Sequence, residues 1–422
     1  MKKYDLIVAG GGFAGCAAAI CAAREGLHVL LVEQANCLGG APSNCLVNPF
    51  MPYSTKINGE KTELSKGLFR EITDKLTEFT QKYDIALDGD TFNEEYLKII
   101  LARLAQDAGV ELLFRSYITE VKTEDKTITS VTVYNKSGNI RFEAEYFVDA
   151  TGDADLATMA GFPFRLGRED GLCQPMTLCF RIGNVDIDSF KQIRSQISPL
   201  YKEWKSLGKI KNPREDVLIF RTLNEGVLHF NSTRVIKLNP TDAFDLTKAE
   251  IISREQALEL FLFLKENFEC FKNSHLLSTA AQIGVRESRM IDGEYVLTGQ
   301  DLVSCKKFED AIALGNYDID IHNPEGEGTS HYYFKDGEYY TIPYRSLIPK
   351  DACNLLTAGR CISVTHEAQA SIRIMPIVCC LGEAAGTAIA LAKREGKSVN
   401  EIDINKLQEK LLQNGAELGK NF

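Results

Sequence analysis

No two cysteines in this chain of 422 residues stand in Cys-x-x-Cys spacing, although twelve are present. A zinc ribbon and an iron–sulfur cluster therefore lack their usual local ligand set, and no metal is expected. The scattered thiols, Cys45 and the Cys379-Cys380 pair included, read as reduced packing residues of a cytoplasmic protein. No basic run exceeds a pair such as Lys306-Lys307, and the formal charge is −10, which argues against nucleic acid and for small-molecule chemistry. No apolar run approaches the roughly 20 residues that span a bilayer. Asp5 and three consecutive glycines suit a turn better than a targeting signal in the opening stretch.

What the chain does contain begins at once. Tyr4-Asp5-Leu6-Ile7-Val8-Ala9 reads as a strand covered on both faces, and Gly10-Gly11-Gly12-Phe13-Ala14-Gly15 follows as Gly-x-Gly-x-x-Gly. Gly10 allows the tight turn, Gly12 lets backbone approach a pyrophosphate, and Gly15 lets a helix lie close to the sheet. Ala17, Ala18, Ala19, Ala22 and Ala23 keep that helix slim; Gly26 ends it, and Val29-Leu30-Leu31-Val32 leads to Glu33. A carboxylate there accepts from both hydroxyls of an adenosine ribose and repels a 2′-phosphate, so the ligand is FAD or NAD, not NADP. Gly39-Gly40 lets the chain pass close to a ligand that continues beyond the pyrophosphate, which favours FAD.

Further along, Asn93 caps a helix with apolar Leu97, Ile100, Leu101, Leu104 and Ala105, and Val110–Phe114 follows as a third parallel strand. Residues 118–123, 128–135 and 140–148 read as an antiparallel meander. The chain then leaves its strand through the small and acidic residues of Asp149-Ala150-Thr151-Gly152-Asp153-Ala154-Asp155. Ser253-x-x-Gln256 reads as a capping box that opens a helix. Asn323–Gly328 reads as a loop, so no second nucleotide fingerprint is present. Asn354–Gly359 returns as a strand, and a long alanine-rich helix begins near Pro376. The expected class is α/β: a Rossmann-like FAD-binding domain, parallel sheet plus antiparallel β-meander, over 1–160 and 341–422. A mixed α+β substrate or cap domain is inserted over 161–340.

Several polar residues stand where chemistry would be done. Arg373, just before the long helix, offers a full positive charge to flavin or substrate. His366 offers a proton carrier of near-neutral pKa, against the plainer role of orienting a loop. Arg286 and Arg289, three apart on a helical turn, share a side and can grip a carboxylate; Glu287 and Asp292 offer them structural ion pairs instead. Tyr344 and Arg345 suit either a pocket wall or domain packing, His229 reads as a satisfied sheet residue, and His322 and His331 as loop residues.

In their order, Leu38-Gly39-Gly40, Leu46-Val47-Asn48-Pro49-Phe50, Asp149–Asp155, Gly284-Val285-Arg286-Glu287-Ser288-Arg289, Ile342-Pro343-Tyr344-Arg345 and Ala358-Gly359-Arg360 carry a resemblance. The chain resembles FAD-dependent oxidoreductases with the glutathione-reductase-like flavin fold, and among them uncharacterised bacterial members distantly related to fumarate reductase flavoproteins. The resemblance implies that Gly10, Gly12, Gly15, Glu33, Gly39 and Gly40 line adenosine and pyrophosphate. It places the Val121 backbone near adenine, Ala150-Thr151-Gly152 beside it, and Gly359 and Arg360 at the ribityl or pyrophosphate, where many relatives carry Gly-Asp. The expected activity is hydride transfer between FAD and a small polar organic substrate held between the two domains, with an unspecified electron donor or acceptor. The alternatives are a binding or scaffold subunit with structural FAD, or a tRNA-modifying flavoprotein.

Overall fold

The computed structural model describes residues 3–83 and 90–420. Its main sheet has seven strands. The opening strand Lys3–Ala9 runs parallel to Val29–Val32 on one side and to Gly138–Asp149 on the other, and Glu111–Leu113 extends the sheet beyond Val29–Val32. Lys3–Ala9 and Val29–Val32 are short and buried along nearly their whole length, as strands covered on both faces are.

Gly138–Asp149 is shared between two arrangements. Its first half pairs antiparallel with Thr127–Asn135, which pairs in turn with Tyr117–Glu124. Its last residues take Leu355–Thr357 as a parallel neighbour, so the late part of the chain completes the sheet begun by the first. The meander and the returning strand thus stand as the sequence patterning predicts.

Two helices lie against each other by way of their small residues. In Phe13–Arg24 the carbonyl oxygens of Ala14 and Ala18 lie where side-chain carbons would stand on Gly382 and Gly386 of Met375–Glu395. Any Cβ at either glycine would overlap those oxygens, so only glycine lets the backbones approach this closely. Residues 14 and 18 meet 382 and 386 in the same order, so the two helices run parallel. Met375–Glu395 is the one helix among the described residues long and apolar enough to cross a bilayer by length and composition, a correction to the sequence reading. Of its apolar window, 94% is buried inside the protein.

A second core gathers residues between Phe180 and Phe271. It lies under a four-stranded antiparallel sheet ordered Ile219–Arg221, Leu228–Phe230, Phe180–Gly183, His275–Thr279. The Phe180 and Phe230 rings stack with centroids 4.8 Å apart, and the helices Ile187–Ser206 and Ala243–Asn267 contribute Tyr201 and Phe263. Side chains alternate along a strand, so Arg181 and His229, directly paired across it, face away from this core. Ser253 does not open a helix: Asp242 caps Ala243–Asn267 eleven residues earlier. The Gln256 side chain instead grips both the amide and the carbonyl of Arg234. Residues 290–348 pack on the first core rather than the second.

Candidate functional site

The loops that follow the first two strands are zipped together. Gly39 N–H donates to the Gly11 carbonyl at 2.8 Å, and Gly12 and Gly39 form a parallel bridge. Glu33 is 7% exposed and ties the same loops: one carboxylate oxygen accepts from Gly11 N–H at 2.5 Å, the other from Ala35 N–H at 2.6 Å. Burial raises its carboxyl pKa against the opposing pull of the Ala35, Gly11 and Gln34 amides. A Cβ on Gly10 would press on the Ala150 carbonyl, and one on Gly15 would overlap the Gly10 carbonyl. Gly12 differs: a Cβ there would meet nothing within 4 Å. The surface over Gly12 is open where its neighbours are tightly packed.

That open surface lies at the amino end of Phe13–Arg24, which has neither a side-chain cap nor an acidic residue in its first turn. Its amides and positive dipole end therefore stand available to an anion. Met375–Glu395 likewise begins without a side-chain cap or an acid. From the shared contact of Ala14 with Gly382, its first residue lies six residues further back than that of its partner, about 9 Å at 1.5 Å per residue. Two positive helix ends are thus staggered along one line.

Beyond the second end lies a polar cluster. His366 opens the short helix His366–Ile372, and Gln369 and Arg373 share its face at i+3 and i+7. His366 Nδ1 stands 2.7 and 2.9 Å from the two oxygens of Glu287, a carboxylate with no exposed surface. A carboxylate only accepts, so Nδ1 carries the hydrogen and Nε2 is left to exchange a proton. Gln174 N–H also donates to Glu287 at 2.8 Å, and Gln369 donates to the Arg286 carbonyl at 2.7 Å. Arg286 is bonded to the Pro175 carbonyl and the Thr177 hydroxyl. Burial and the neighbouring Arg373 charge lower its pKa.

Arg373 also lies 3.7 Å from Asp320, which His322 Nε2 approaches at 3.2 Å. Burial favours the acid form of Asp320, yet His322, Arg373 and Arg286 together hold its carboxyl below the usual range. His322 Nδ1 faces Arg234 Nη2 at 3.1 Å and accepts from it, so the ring is neutral with its hydrogen on Nε2. Burial and Arg286 hold its pKa well below the ordinary value.

A family model described as FAD dependent oxidoreductase matches residues 5–411. The chain belongs to this family of FAD-dependent oxidoreductases. FAD is its cofactor, and the open surface over Gly12, set between Glu33 and an unblocked helix end, fits the diphosphate of that molecule. Digeranylgeranylglycerophospholipid reductase of Sulfolobus acidocaldarius is 30% identical over 162 residues, 36% of this chain and 34% of that protein. The chain thus matches about a third of that relative's length. Among solved structures, a geranylgeranyl bacteriochlorophyll reductase-like protein of Thermoplasma acidophilum is 15% identical, with a TM-score of 0.48 over 99% of this chain and 85% of its own. The p-nitrophenol 4-monooxygenase of Pseudomonas putida is 10% identical, with a TM-score of 0.47 over 97% and 84%.

For this flavoenzyme the sequence-expected residues fall into three groups. Gly10, Gly12, Gly15, Glu33, Gly39, Gly40 and Ala150 are brought together in the cradle. Thr151 folds back on the buried Asp149, while Gly152 lies directly under the Arg360 guanidinium, which pairs with Asp153 at 2.5 Å. Gly359, at φ +101°, leads into Arg360. Val121 is half-buried on Tyr117–Glu124, five residues past Ser116, whose amide bonds to the Glu33 carbonyl; that is about 16 Å of extended chain.

The second group is His366, Arg373 and Arg286, which meet in the polar cluster. The third requires correction. Arg286 lies in a loop and Arg289 opens the strand Arg289–Ile291, so they do not share a helical turn. Arg289 turns instead to Asp155 and the Asp153 carbonyl. Burial and its acidic neighbours push the Asp155 carboxyl up to about 6. Tyr344 is buried, with its hydroxyl spent on the Val399 carbonyl, and Arg345 pairs with Asp310, so both are packing residues rather than pocket walls. His322 and His331 sit on the paired strands Ile319–His322 and Thr329–Tyr332, not in the loop between them. His229 is buried with neither ring nitrogen bonded, so it is not satisfied. The Cys45 thiol, pushed up to about 12 by burial, packs against the Ile283 carbonyl. Glu287, Gln174, Gln369, Asp320 and Arg234 carried no local signal. Only Glu287 stood in a quoted motif, as a partner for arginine rather than histidine.

Proposed function

We propose that this oxidoreductase transfers a hydride between its flavin and a small polar organic substrate, with His366 carrying the accompanying proton. The observation that supports this most is the enclosed Glu287–His366 pair, which fixes the imidazole tautomer and aims one ring nitrogen away from its partner. Bound FAD supplies the two-electron donor or acceptor. In the oxidative direction the substrate carbon gives up a hydride and its hydroxyl gives a proton to His366 Nε2; reduction returns both. Arg286 and Arg373 hold a substrate anion in place, and the amino end of Met375–Glu395 favours negative charge on the reduced side.

The substrate unit proposed over 161–340 is supported in its first part by the separate core of residues 180–271; the packing of 290–348 supports an earlier return near 289. A cytoplasmic setting is supported by twelve free thiols. The polar cluster suits a small charged substrate better than the apolar geranylgeranyl chains in the Sulfolobus reductase's name.

The test is anaerobic mixing of the flavin-loaded enzyme with a panel of hydroxy acids, sugars and enoates, the enoates against chemically reduced enzyme. Loss or return of yellow absorbance is followed. One class reacts, and His366→Asn slows it by about 10²–10⁴ with flavin content unchanged. No reaction with any class, or an unimpaired His366→Asn, rejects the assignment.

A further inference from the structure

The helix Ala243–Asn267 buries Ala257, Leu260, Phe263 and Leu264 in the second core. Its opposite side is apolar as well. At about 100° per residue, Phe244, Ile251, Leu258 and Leu262 fall within about 20° of one line down the helix, and no other residue of the helix falls in that sector. All four are exposed, from 42% at Leu258 to 86% at Phe244, and the line they form is about 27 Å long. The centre of a solvent-facing side is where polar residues ordinarily stand. A helix apolar on two opposite sides is one that is covered on both.

The borders of this stripe carry the further information. Lys248 and Glu255 line one edge, seven residues apart, and Thr247 and Arg254 line the other. Arg254 is held by Glu250 of its own helix. Lys248 and Glu255 are both exposed, and among the described residues neither has an ion-pair partner. One edge thus presents a free cation and a free anion on either side of Ile251.

We propose that a second copy of this chain covers the stripe, the two helices packing antiparallel about a two-fold axis through Ile251. That axis sets Ile251 against the partner's Ile251, Phe244 against the partner's Leu258, and Lys248 within one residue of the partner's Glu255, and each contact is made twice. In an antiparallel pair like edges meet, so on the other edge Thr247 meets Arg254 and no like charges oppose. Moving the axis one apolar step either way breaks this match. Midway between Ile251 and Leu258 it brings Glu255 against its own copy, and midway between Phe244 and Ile251 it brings Lys248 against its own copy. The free charges therefore select one register, and they do so only for a partner with the same sequence.

Sedimentation equilibrium of the flavin-loaded full chain tests the pairing. The parent runs as a two-copy species at micromolar concentration. Ile251→Lys sets two ammonium groups together on the axis, and Lys248→Glu sets carboxylate against carboxylate on both sides of it. Each raises the dissociation constant about tenfold or more, and Lys248→Glu combined with Glu255→Lys recovers most of the loss. The altered positions are exposed, so melting temperature and yellow colour stay as in the parent. A one-copy mass for the parent, a dimer unaltered by Ile251→Lys, or no recovery in the double exchange overturns the proposal. So does a one-copy parent retained on lipid vesicles and released by Ile251→Lys, which hands the face to a membrane. If Ile251→Lys loses its colour, the exchange of Lys248 and Glu255 decides alone.

Discussion

Gly12 and Gly15 make opposite demands although they stand three residues apart. Alanine at Gly12 has open space and an ordinary φ of −67°, so folding changes by no more than about 0.5 kcal/mol. The same methyl intrudes where the diphosphate approaches, so Gly12→Ala purifies folded and depleted of yellow colour. Gly15→Ala drives its methyl into the Gly10 carbonyl and fails to fold or melts far earlier. Melting curves read beside flavin absorbance separate the two outcomes. The cradle was legible in the chain because all of it but Ala150 falls within residues 10–40, as one strand, turn, helix, strand and terminal acid. The polar cluster was only half legible. His366 and Arg373 lie beside a recognisable helix start, but their neighbours come from residues 174, 286–287 and 320–322, which only tertiary folding assembles.

Among the elements, the two glycine-bearing helices were recognised by composition, whereas their direct contact was not, since nothing local states which helices meet. The false start at Ser253 has a similar cause. A capping box is a short pattern, and here its glutamine serves Arg234 in a neighbouring segment while Asp242 supplies the true cap. Met375–Glu395 also carries Glu383, a buried carboxyl that accepts from Leu68 N–H at 3.0 Å and that burial pushes up to about 7. The folded protein therefore holds this proton where the unfolded chain, with an ordinary value near 4.5, has lost it. Stability falls as pH rises from about 4.5 to 7 and levels off above that. Glu383→Gln removes the penalty. Relative to the parent it gains about 2–4 kcal/mol at pH 8 and little at pH 4, which denaturant titrations at the two pH values check.

For the molecule as a whole, a cofactor that binds only the folded state adds stability by mass action, about 2.7 kcal/mol at a hundredfold excess over its dissociation constant. Stripping FAD lowers the melting temperature, and adding it back restores the temperature in proportion to the logarithm of its concentration. With a charge of −10 the intact protein runs through a heparin column unretained at low salt; salt-dependent retention of RNA would favour the tRNA-modifying alternative instead. The seam between Ala14 and Gly382 reaches further than packing. Because one wall of the coenzyme's berth comes from Phe13–Arg24 and its far buttress from Met375–Glu395, a nascent polypeptide emerging from the ribosome has no finished berth to offer until the second of these helices has followed the first. Loading must therefore await that later helix, and truncations before Met375 that spare every glycine of the fingerprint will still come out colourless.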